Sequence, residues 1–73
     1  MRDDVKLKIF LKKSELRQLV WNSLSKEKTA SDIAKETSKH RSAISRVLLD
    51  MQKADFVKCL NPEDSSFRHY VKK

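Results

Sequence analysis

Glycine is absent from this chain of 73 residues, which excludes every glycine-built phosphate loop and dinucleotide fingerprint. One cysteine, Cys59, forms no internal disulfide, so a small secreted scaffold held by disulfides is ruled out and a reducing compartment is expected. No apolar run exceeds three residues, as in Ile9-Phe10-Leu11 and Val47-Leu48-Leu49; this excludes a membrane span or a signal-peptide core. Metal-ligand spacings such as Cys-x-x-Cys and His-x-x-x-His are missing, and His40, Cys59 and His69 would have to converge from distant positions to hold an ion. Cys59 and His69 also lack a third group to orient a nucleophile. Neither a metal, a cofactor nor catalysis is expected, and no small-molecule ligand is evident.

What is abundant is positive charge. Lys and Arg number 17 against 10 Asp and Glu, a formal net charge of +7 with a pI near 9.8. Such a balance suits a polyanionic partner. Hydrophobic residues make up 38% of the chain, enough for one domain whose core is thin, because so short a chain buries only roughly 60% of its unfolded surface.

Residues 1–13 are the most basic stretch. Val5, Leu7, Ile9 and Leu11 alternate with Lys6, Lys8, Phe10 and Lys12, the period of a half-buried strand, while Leu7, Phe10 and Leu11 also suit one face of a helix. Strand and helix both stand, and as a strand the stretch is an edge of the domain's own sheet, a membrane-touching segment or an element of a homodimer that covers Val5, Phe10 and Trp21; no membrane partner is expected. Ser14 then caps a helix whose stripe is Leu16, Leu19, Val20 and Leu24, fading around residues 25–28. Thr29-Ala30-Ser31-Asp32 has the form of a capping box and starts a helix with Ala30, Ile33, Ala34 and Thr37 on one face. After a break at Ser38-Lys39-His40, a helix over about 41–54 buries Ile44, Val47, Leu48 and Met51. Phe56 to Leu60 and Phe67 to Val71 read as strands joined by Asn61-Pro62-Glu63-Asp64-Ser65-Ser66, a hairpin that sets Cys59 roughly opposite Arg68.

Two helices joined by about three residues make a helix-turn-helix, and a hairpin directly after them makes the winged form. The segments Thr29-Ala30-Ser31-Asp32-Ile33-Ala34-Lys35-Glu36-Thr37 and His40-Arg41-Ser42-Ala43-Ile44-Ser45-Arg46-Val47-Leu48 resemble the paired helices of small winged-helix transcription regulators. The multiple-antibiotic-resistance and arsenic-resistance repressor groups are the broad relatives, and the whole pattern from Ser14 to Tyr70 most resembles short archaeal members. The resemblance implies an α+β winged helix-turn-helix of three helices plus a C-terminal hairpin, over residues 14–73. It also implies binding of double-stranded DNA, a role in transcription regulation, no catalysis, and a cytoplasmic, nucleoid-associated site of action. Such proteins often carry Gly after the recognition helix, where Ala54-Asp55 stands here; Asp tolerates positive φ better than most residues. They also carry basic wing tips, where Glu63 and Asp64 stand here.

With the stripe of the 41–54 helix turned inward, Arg41, Ser42, Ser45 and Arg46 face the major groove. Arg46 is the candidate for a bidentate guanine contact worth about 1–3 kcal/mol of discrimination, unless it pairs locally with Asp50. Lys39 and His40 in the turn, with the amides near Ser31, are candidates for phosphate, and Arg68 on residues 56–72 for the backbone or minor groove. Lys28 and Lys35 are weaker candidates of the same kind. The principal alternative is a winged helix that serves as a protein-interaction module in a larger assembly. RNA binding would need exposed stacking aromatics, and few are available.

Overall fold

Local cap chemistry sets the frame. In the computed structural model, which describes residues 2–64 and 67–73 and side chains from residue 5 onward, Ser14 is extended and its hydroxyl accepts from the N–H groups of Leu16 (3.1 Å) and Arg17 (3.4 Å). Thr29 and Asp32 form a reciprocal capping box, each N–H donating to the other's side chain at 3.1 Å. The elements in order are α1 (Arg2–Lys12), α2 (Glu15–Ser23), β1 (Lys28–Thr29), α3 (Ala30–Thr37), α4 (Arg41–Lys53), β2 (Val57–Cys59) and β3 (His69–Lys72). The described residues thus form a small α+β domain of four helices and a three-stranded antiparallel sheet, ordered β1-β3-β2.

The expected count of three helices and a lone hairpin is corrected in two places. The basic N-terminal stretch is a helix, not a strand, because the core accepts Phe10 and Leu11 and leaves Val5 and Ile9 more than half exposed. Phe10 meets the edge of Phe56 at 5.3 Å between centroids, and the Arg17 guanidinium lies 3.9 Å over the Phe10 ring while donating to its carbonyl. The hairpin also gains a third strand: β1 pairs with β3, setting Lys28 opposite Tyr70 and Thr29 opposite His69. Two residues are too few to show any period in a sequence.

The hairpin register differs from expectation too. Cys59 lies opposite Tyr70, not Arg68. Asn61 is the cause: its side chain accepts from the His69 N–H (2.7 Å) and donates to the Phe67 carbonyl (2.9 Å), which draws Phe67 and Arg68 into the loop. Ser65 and Ser66 of the expected turn lie outside the described residues. Asp55 takes the left-handed φ of 71° expected after α4, and Ser38 takes φ 59° at the end of α3.

The core lies between the helices and one face of the sheet. Val20, Leu24, Ile33, Ile44, Leu48, Met51 and Val57 are almost wholly buried, with Tyr70 closing it from β3. The stripe expected on α4 is buried throughout. On α2 the stripe is rotated: Leu19 is exposed, and Trp21 packs in its place with its ring edge-on to Phe56.

Candidate nucleic-acid interface

Burying Ile44, Val47, Leu48 and Met51 forces the opposite side of α4 outward. Arg41, Ser45 and Leu49, spaced at i, i+4 and i+8, line up along the flank nearest the hairpin. They form one wall of a notch of about 210 Å³; the start of α3 (Thr29, Ala30, Ser31) and the residues Arg68 and Tyr70 form the others. The notch exists because β1 runs straight into α3 while pairing with β3, which brings the hairpin against a helix N-terminus.

Three of the seven predicted contact residues meet in this notch: Arg41, Ser45 and Arg68. Arg68 is half-buried and its Nε donates to the Asp64 carbonyl at 3.0 Å, so the side chain is held at its base. Ser42 and Arg46 are exposed on the next face of α4, outside the notch. Lys39 and His40 are exposed in the turn; His40 is the N-cap of α4 and makes no side-chain cap bond. Asp50, the local partner the sequence offered Arg46, lies 3.9 Å from Arg17. Lys28 drops out as a contact: it is 8% exposed and its ammonium lies 2.7 Å from Glu36.

No family model, curated protein or solved structure matches this chain. The reading of the notch therefore rests on its own chemistry. Two arginines and a serine hydroxyl surround the first residues of α3, where a helix presents its positive dipole end. The capping box occupies the amides of Thr29 and Asp32, and the two residues between them, Ala30 and Ser31, line the notch. Four lining residues go beyond the contacts expected from the sequence. Thr29 and Ala30 belong to a capping box visible in the sequence, and Leu49 stands at the margin of the outward face. Tyr70 carries no local signal, because its place depends on the β1–β3 pairing.

The acidic hairpin tip has a structural task. The Asp64 carboxylate accepts from the Phe67 N–H at 2.9 Å, and its carbonyl holds Arg68. One of the two tip carboxylates thus shapes the loop that presents an arginine.

Asp32 links this region to pH. The Thr29 N–H holds its carboxyl below the usual 3.8, against desolvation, with help from the Thr29 hydroxyl and the positive fields of His69 and Lys35. A depressed carboxylate contributes stability that is present above its unfolded value and lost as pH falls through its folded one. The Asp32→Asn variant should therefore lose stability relative to the parent at about pH 6, with the gap closing as pH falls below the ordinary carboxylate value of 3.8 and through the depressed folded one. Urea midpoints at several pH values check this; a gap that stays constant with pH would show that the charge is not what matters. Thr29→Ala, which removes the other half of the box, should cost about 1 kcal/mol in the same assay.

Proposed function

We propose that this domain is a winged helix that binds double-stranded DNA as a transcription regulator. The observation that carries the reading is the notch that gathers Arg41, Ser45 and Arg68 at the N-terminus of α3. In this reading α4 lies in the major groove, with Ser42 and Arg46 toward base edges. The β2–β3 hairpin is the wing, and the notch grips one backbone phosphate at the groove's rim. Lys39 and His40 extend the phosphate contacts ahead of α4. The strand β1, the α3–turn–α4 pair and the sheet order β1-β3-β2 support the same assignment.

Affinity then comes mainly from phosphate neutralisation by a chain of net charge +7. Fluorescence anisotropy with labelled duplex DNA should show binding that weakens about a thousandfold between roughly 50 and 200 mM salt, as expected for at least six phosphate contacts. Single-stranded DNA and duplex RNA serve as controls. Absence of duplex binding at low salt would overturn the reading and leave the protein-interaction module in its place.

Two copies of the domain reading a palindrome would set their α4 helices about 34–36 Å apart. Phe10 and Trp21, which prompted the idea of a dimer, are already packed within one chain, leaving Val5 and Ile9 as the exposed apolar pair on α1. Among the described residues no helix is long and apolar enough to cross a membrane.

A further inference from the structure

Beyond the far end of α4 lies a second cavity, with different walls. It measures about 360 Å³ and opens between α1, α2 and the turn that follows α4. Trp21 and Phe56 supply aromatic surface, their ring centroids 6.5 Å apart and their planes at 76°. Lys6 and Lys73 line the cavity, and the Lys72 ammonium lies 4.5 Å from the centre of the Trp21 ring. Among the described residues of the lining Asp55 is the one carboxylate and it is paired with Lys73, which leaves Lys6 in the lining and Lys72 beside the Trp21 ring. Helix ends of this polarity attract cations on their own account. Here, however, the last carbonyls of α4 are already occupied: Asp50, Met51 and Gln52 accept from the N–H groups of Ala54, Phe56 and Asp55 at 2.9–3.0 Å.

We infer that this cleft binds a planar aromatic ring carrying a phosphate, of the size of a purine mononucleotide. Each half of such a ligand answers a feature the other half leaves unmatched. A phosphate alone would make no use of the aromatic lining that Trp21 and Phe56 supply, and a neutral ring alone would make no use of Lys6 and Lys72. Lysine serves as a point charge for phosphate, aromatic side chains stack on any base, and the volume falls in the lower range of small-molecule sites. The cleft borders the turn after α4, whereas the notch lies along its first three turns, so the two sites are separate. The same chemistry is offered by a free mononucleotide and by a nucleotide unit within a strand.

Trp21 is the only tryptophan, so its fluorescence reports on this cleft alone. Adenosine monophosphate should quench it saturably, with adenosine and ribose phosphate each acting at least about tenfold more weakly. The Lys6→Gln/Lys72→Gln double variant should shift the midpoint about tenfold, as expected for two partly solvated charge contacts. Because Lys72 touches the ring, the midpoint and not the amplitude is compared. Quenching by the monophosphate should survive in Arg41→Ala/Arg68→Ala, which separates this proposal from the DNA reading. A short adenine oligonucleotide that quenches at lower concentration than the monophosphate would assign the natural ligand to a strand, and one that quenches no better would assign it to the free nucleotide. No quenching by adenosine monophosphate, equal quenching by adenosine, an unmoved midpoint in the lysine variant, or loss of quenching in the arginine variant would each overturn the inference.

Discussion

Replacing Leu48 by alanine is expected to lower the thermal midpoint by about 15 °C or to abolish cooperative unfolding altogether. Leu48 is fully buried on α4 among the residues of the core. Truncating a buried leucine costs about 2–5 kcal/mol, because apolar contacts vanish and a cavity remains. A domain of this size holds only about 4–11 kcal/mol in all, and each kilocalorie moves its midpoint by about 4–8 °C. The neighbouring Leu49 is 44% exposed, and its alanine variant should unfold close to the parent. Circular dichroism melts of the pair check the burial directly. Equal midpoints for the two variants would contradict the placement of α4.

The second large effect concerns binding. Arg41→Ala/Arg68→Ala should weaken every duplex, whatever its sequence, by about 10–100-fold at low salt and reduce the salt slope by about two. Arg46→Ala should behave differently. It should cost about 1–3 kcal/mol on a preferred duplex and much less on random DNA. Equal losses on both would make Arg46 a phosphate contact only. An unchanged salt slope in the double arginine variant would remove the notch from the interface.

These outcomes depend on features with very different visibility in the sequence. Cap chemistry is local, so Ser14 and the Thr29–Asp32 box announce α2 and α3 unaided. The α4 stripe is equally plain, since four apolar residues at helical spacing admit one inward face. The N-terminal helix is ambiguous in the sequence because Val5 to Leu11 satisfies both periods at once. What decides it is remote: Phe56, more than forty residues on, supplies the surface against which Phe10 packs. The hairpin register turned on a single asparagine whose side chain imitates a strand partner. For the candidate site, the α4 contribution was legible from the stripe alone. Its union with Arg68 and the α3 N-terminus was not, because it follows from a two-residue strand.

The sheet order carries a consequence for how the molecule assembles. Its central strand is the last in sequence, and Tyr70 must find Lys28 across forty-two residues before β1 has any partner. A chain made from its N-terminus can form helices as they emerge, since their contacts are local, but the sheet waits for β3. During synthesis the helical layer therefore exists for a time without Tyr70 to close its core. Chains halted before residue 69 would lack both the closed notch and the covering strand, and are expected to expose a sticky surface that chains carrying β3 hide.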